Sequence, residues 1–219
     1  MPVVVLAALA FGAFGYIGYV LWPGSAASHV DAPPLPITVG GVAFNLPPTA
    51  IRVAAQRRPG VHARVDLAFL WPSLEPPDAN EKNPALPADG DVAPSATLAR
   101  IFMSITAAGD AFAPADRALT IYPRYTAAQP QPGANGLVVL GFRDGTPYDG
   151  EDLIYDAEGS AFLVRCNRNG AGRLPGICLY EQRIGRADIL LRFPRNWLSE
   201  WRVVAANLER LIKTLSVSR

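Results

Sequence analysis

A run of twenty residues without a charge, Val3 to Trp22 (VVVLAALAFGAFGYIGYVLW), constrains this chain more than any other feature. As a helix rising about 1.5 Å per residue it spans roughly 30 Å, the thickness of bilayer hydrocarbon. Tyr16, Tyr19 and Trp22 gather at its C-terminal end, where amphipathic rings favour the headgroup level, and Pro23-Gly24 cannot continue the helix. Residues 1–22 therefore read as a single transmembrane anchor. A cleaved signal peptide is the competing reading, because Ser25-Ala26-Ala27 supplies small residues just beyond the run. The apolar stretch exceeds the roughly 7–15 residues of a signal-peptide core, and no Lys or Arg precedes it, which favours retention. Ala8, Gly12, Gly15 and Gly18 fall near one face of the helix, where small side chains allow a second helix to approach. Since the next basic residue is Arg52, loop charge does not set the orientation.

Residues 23–36 (PGSAASHVDAPPLP) have no apolar period and read as a Pro-rich tether, so the folded domain is expected over residues 37–219. The whole chain of 219 residues is 50% hydrophobic and 18% charged, which describes a folded protein. Its 21 Pro and 19 Gly exclude a long helical bundle. A formal net charge of +1 gives no field to recruit nucleic acid, so none is expected as a partner. Of 20 basic residues only Lys82 and Lys213 are lysines, which with the abundant Ala points to a GC-rich bacterial source.

Strand patterns dominate the domain. Ile37 to Leu46 carries β-branched residues around Gly40-Gly41, and a short helix is expected over 49–56. Val61, Ala63, Val65, Leu67 and Phe69 alternate with His62, Arg64, Asp66 and Ala68, the two-residue period of a half-buried strand. The Pro-rich segment 71–94 reads as a long loop. Further strands are expected at Leu98–Thr106, Ala118–Tyr125, Leu137–Arg143, Leu153–Asp156, Ser160–Cys166, Ile177–Ile184 and Ala187–Phe193, the last two joined as a hairpin through Gly185-Arg186. Trp197, Trp201, Val204, Leu208, Leu211 and Leu215 recur at helical spacing and form one apolar stripe, with Asn196 as the expected cap. The fold class is α+β: a mostly antiparallel sheet with a C-terminal helix packed on one face.

Cys166 and Cys178 enclose a Gly-rich stretch, NRNGAGRLPGI, and each ends a predicted strand. A disulfide is the natural reading in an exported domain, and closing a loop of this size removes about 3 kcal/mol of unfolded-state entropy. Two Cys with no His nearby cannot complete a tetrahedral metal site. His62, Arg64 and Asp66 share one strand face, a proton-handling group if a cleft covered them and otherwise a solvated face of paired charges. Asp144, Asp149, Glu151, Asp152, Asp156 and Glu158 crowd one stretch without the ligand spacing of a calcium loop. Arg165, Arg168, Arg173, Arg183, Arg186, Arg192 and Arg195 follow it, and adjacent blocks of opposite sign can neutralise one another across a sheet.

No phosphate-binding loop, HExxH, GxSxG, SxxK or haem-attachment motif occurs. The strand-to-Leu-Pro handover at Phe44 to Pro47 resembles that of small photosystem-associated lumenal domains of the PsbP type, and transfers no site residue. The sequence accordingly predicts no catalytic residues, no metal and no cofactor. It predicts a single-pass inner-membrane protein whose periplasmic domain is an accessory or interaction subunit of an envelope complex. The membrane is engaged through residues 3–22, and a membrane or periplasmic protein is met through Trp197, Trp201, Arg183, Arg186, Arg192 and Arg195. The alternative is a ligand-binding module with a groove between sheet and helix near Trp197 and Trp201. A third reading is a hydrolase using Asp149, Glu151 and Asp152.

Overall fold

The computed structural model describes residues 32–78, 99–158, 162–168 and 175–217. The anchor expected over 1–22, most of the tether over 23–36 and most of the loop over 71–94 lie outside the described residues. Among the described residues no helix is long and apolar enough to cross a membrane.

The Gly40-Gly41 pair turns what the sequence presents as one β-rich stretch into a hairpin of β1 (Leu35–Val39) and β2 (Val42–Leu46). Both glycines have positive φ, 57° and 79°, a region closed to most L-residues. Gly40 is required a second time, because a Cβ there would lie 1.8 Å from the Arg186 carbonyl oxygen. β3 (Gly60–His62) joins β1 in parallel and completes a three-stranded sheet.

The single strand expected over Val61–Phe69 is instead two. The chain leaves the small sheet at Ala63 and enters the large one as β4 (Arg64–Leu70). Val61, placed on the buried side by its alternation, is 84% exposed, because β3 belongs to a different surface from β4. The helix expected over 49–56 is reduced to a 3-10 turn at Ala54–Gln56, while Ile51 bridges Leu67 and covers the outer edge of β4.

The large sheet has eight strands, all paired antiparallel. From one edge it runs β4, β5 (Arg100–Ala107), β11 (Ala187–Pro194), β10 (Ile177–Ile184), β9 (Leu163–Asn167), β8 (Glu151–Asp156), β7 (Leu137–Gly141) and β6 (Gln131–Pro132). The expected hairpin at Gly185-Arg186 joins β10 to β11, with Ile184 opposite Ala187. The strand expected over Ala118–Tyr125 is a helix, α1 (Pro114–Thr120), followed by a 3-10 turn at Tyr122–Arg124. Pro114 in the first turn with Asp116 beside it favours a helix start there over the strand propensity of Thr120, Ile121 and Tyr122.

The C-terminal stripe forms α2 (Trp201–Leu215), which buries Trp201, Val204, Leu208, Leu211, Ile212 and Leu215. Each such side chain removed from water contributes about 1.5–3 kcal/mol. Asn196 does not cap this helix. It lies in a 3-10 segment, Arg195–Glu200, that leads into α2 without any side-chain cap, and its carbonyl accepts a bond from the Ser199 hydroxyl at 3.1 Å. The core is the layer between one face of the large sheet and a cover made of α2 and the small sheet. Val39, Phe44 and Leu46 of the cover meet Leu67, Met103, Leu191 and Phe193 of the sheet in one buried cluster with Val204 and Leu208.

Candidate functional site: the open face of the sheet

Side chains alternate across a strand, so the burial pattern assigns each residue a face. On β11, Ala187, Ile189, Leu191 and Phe193 are buried in the core, while Asp188, Leu190 and Arg192 belong to the opposite face. The same alternation puts Leu179, Glu181 and Arg183 of β10, Leu163 and Arg165 of β9, and Glu151, Leu153 and Tyr155 of β8 on that opposite face. It is only partly covered. Tyr122 and Phe142 close over Leu153 to make a second, smaller apolar cluster, with Tyr148 packed edge-on to Tyr122 at 5.3 Å.

The helix α1 stands over this face without burying a single side chain. Polar ties hold it and its approach. Arg117 pairs with Glu181 at 2.9 Å, and Arg183 donates to the Ala111 carbonyl at 3.2 Å. Between helix and sheet remains a groove of about 850 Å³, lined by Ala115, Ala118 and Leu119 above and by Tyr155, Leu163 and Leu179 below, with Arg165, Glu181 and Arg183 among its walls. Phe112 and Leu119 stand exposed at 60% and 78% beside it.

The carboxylates of this face are tied to arginines. Glu151 meets Arg165 at 3.1 Å, Glu181 meets Arg117, Asp188 meets Arg183 at 2.6 Å, and Asp66 meets Arg64 at 2.7 Å. Arg165 also lies 5.1 Å over the Tyr148 ring and 6.0 Å over Tyr122, so its cation is held by aromatic faces as well as by Glu151. Burial pushes the Tyr122 hydroxyl above its ordinary pKa, with the Glu181 charge adding to the effect. By contrast, among the described residues neither Arg52 nor Arg192 has a carboxylate partner. Arg192 is exposed between Phe102 on β5 and Leu179 on β10, and the Arg52 guanidinium sits 4.7 Å over the Phe102 ring.

His62, Arg64 and Asp66 do not assemble into a proton-handling group. The His62 Nε2 is 2.9 Å from the Arg58 carbonyl, on the other sheet. Asp66 receives two nitrogens of Arg64 at 2.7–3.0 Å and the Ser104 hydroxyl at 2.7 Å. The Arg64 hydrogen bonds, reinforced by Ser104 and Gln56, hold the Asp66 carboxyl below the usual carboxylate range against the opposing effect of burial. A carboxylate so stabilised is a poor proton acceptor.

The acidic and basic stretches largely neutralise each other, as their adjacency predicts. Asp152, buried, accepts from Arg168 at 2.9 Å and from Arg195 at 2.6 Å. Arg195 also donates to the Asn167 carbonyl, so it clamps the end of β9 to the chain after β11. Asp144 pairs with Arg168 at 3.6 Å, and Glu158 with Arg202 at 4.0 Å. Glu151 and Asp152, adjacent in sequence, point to opposite faces of the sheet, while the Asp149 side chain accepts the Gly145 backbone N–H at 3.2 Å. No group of three or more potential metal ligands occurs among the described residues.

Of the residues singled out for recognition, the structure brings Arg183 and Arg192 to the open face, with Arg186 exposed at the hairpin tip. Trp197 and Trp201 go elsewhere. Trp197 stacks on Trp71 at 4.5 Å, and Trp201 is 4% exposed, stacks on Phe162 at 5.2 Å and donates its Nε1–H to the Asn135 carbonyl. Trp201, Val204, Leu208 and Leu211 of α2 pack into the core cluster, and a groove opens under α1. That groove was hidden in the sequence because its upper wall is the segment whose strand propensity masks a helix.

The Cys166–Cys178 disulfide is formed, and both residues are fully buried at the β9–β10 seam. No family model and no curated protein matches the chain. Among solved structures the chain is similar to an immunity protein of the Stenotrophomonas maltophilia type IV secretion system, at a TM-score of 0.55 and 14% identity. The match covers 85% of this chain and 94% of that one, and what the two share is the fold.

Proposed function

We propose that this chain is an anchored binding subunit of the bacterial envelope. Residues 3–22 hold it in the inner membrane, residues 23–36 form the tether, and the disulfide-bonded domain sits in the periplasm, where it binds another membrane or periplasmic protein. The observation that carries the reading is the half-covered sheet face, on which Phe112 and Leu119 stand exposed beside an apolar groove. Exposed apolar surface of this kind marks protein interaction sites. The disulfide supports an oxidising compartment. The fold likeness to a protein described as an immunity protein supports a more specific form of the same idea, in which the domain restrains its partner by occupying part of its surface. No cofactor is needed for such a role.

The test is affinity purification of the full chain from native membranes in mild detergent, at low and moderate salt, followed by mass spectrometry. A partner at constant stoichiometry is the expected result, and a chain that elutes alone under both conditions overturns the reading. A C-terminal reporter fusion checks orientation, with periplasmic activity expected.

A second reading is a periplasmic ligand-binding module. The groove volume of about 850 Å³ favours it, since pockets for small ligands span roughly 300–1,000 Å³ and are mainly apolar. Native mass spectrometry of the purified chain checks this reading through a retained small molecule.

A further inference from the structure

We propose that the open sheet face docks an acidic protein segment that places an apolar side chain in the groove under α1. The inference rests on the protein-binding reading above and adds the chemistry of the partner. Two observations carry it, one steric and one electrostatic.

The steric observation is continuity. Leu179 forms part of the groove floor, and its neighbour across β11 is Arg192, which is followed on β5 by Phe102. Apolar floor and exposed arginine therefore occupy adjacent positions on one sheet face. The apolar surface also extends outward, because Leu119, which lines the groove, is 78% exposed, and Phe112, next in sequence to the groove-lining Ala113, is exposed as well. A small solute enclosed in the groove would leave those side chains in water, whereas a protein segment lying across the mouth would cover them.

The electrostatic observation is a local surplus of one sign around Phe102. Glu151, Glu181, Asp188 and Asp66 are each neutralised by an arginine of the same chain, while Arg52 and Arg192 lack a carboxylate among the described residues. With the strand acids committed, the part of the face around Phe102 presents these two cations, while Asp116 of α1 lies near Arg183 at the other end of the groove. The complementary partner carries carboxylates flanking its apolar anchor. Such complementarity speeds encounter and fixes register, and the anchor supplies most of the affinity.

The test uses the full chain immobilised from detergent and a phage-displayed library of random dodecamers as probe. Enriched peptides are expected to combine Asp or Glu with Leu, Phe or Trp. Their binding should weaken with salt and fall at least tenfold in both an R52E/R192E double variant and an L119D variant. R210E, on the exposed side of α2, is the charge control and should bind as wild type does. The substituted side chains are exposed, so unchanged thermal unfolding checks that each variant is folded. Absence of enrichment, enriched peptides without acidic bias, or peptides that bind the variants unchanged would overturn the inference. Charge-dependent capture of vesicles rich in phosphatidylglycerol, with no peptide selected, would also overturn it in favour of a lipid surface. Because the library does not depend on a native partner, its failure is separable from failure of the co-purification.

Discussion

Cys166 and Cys178 sit directly opposite each other on β9 and β10, with Cα atoms 4.0 Å apart and both residues withdrawn from solvent. Their bond stitches the seam between the half of the sheet that carries the core hairpin β10–β11 and the half that carries β6–β9. The intervening loop separates them by 12 residues, and for a loop of this size the entropy model gives a stabilisation of about 3 kcal/mol. A C166A/C178A variant should therefore unfold about 6–12 °C below wild type in a calorimetric scan. Because the sulfurs are buried, mild reductant should act only on chains that have already opened, so reduction should track unfolding.

The Asp66 carboxyl lies below its ordinary range because Arg64 grips it in the folded state. A carboxyl with a depressed folded pKa stabilises the fold fully above its unfolded value of about 3.9, and that contribution is lost as pH falls through the folded value. D66N should be less stable than wild type at pH 7, and the gap should close as the pH is lowered below about 4. Urea denaturation of the two proteins at pH 7, 4 and 3 measures this directly. A gap that stays constant over that range would assign the stabilisation to packing in place of charge.

The two helices differ in what they bury, and their substitutions should differ accordingly. Leu208 of α2 is fully buried, so L208A should cost about 2–5 kcal/mol. Leu119 of α1 is 78% exposed, so L119A should change stability by no more than about 0.5 kcal/mol. Denaturant unfolding gives both numbers. Amide exchange should agree, with α1 exchanging freely and β10 and β11 protected to the level of global unfolding.

Much of this architecture is legible in residue order alone. Strand alternation helps locate β10 and β11 around the turn at Gly185-Arg186, because Ile177–Tyr180 and Ala187–Phe193 alternate buried with wetter side chains. The stripe from Trp201 to Leu215 gives α2 for the same reason. Alternation fails between Val61 and Phe69, where a continuous period is shared by strands of two different sheets and only tertiary pairing separates them. It fails again at Ala118–Tyr125, where local β-propensity conceals a helix marked only by Pro114 and Asp116. The open face was half visible. Arg183 and Arg192 stand out in the sequence as a basic block, but which arginines are cancelled depends on cross-strand register, and the apolar groove depends on where α1 crosses the sheet.

β11 is the last of the strands in sequence, yet it lies between β5 and β10 in the interior of the large sheet. A chain leaving the ribosome amino end first thus holds β5 with one edge bare until residues 187–194 have been synthesised. The helix that roofs the core, α2, comes later still. The pair β4–β5 and the set β6–β10 therefore stay unjoined until β11 pairs with an edge of each. Strand order alone thus makes residues 187–194 the piece that joins the two parts of the large sheet.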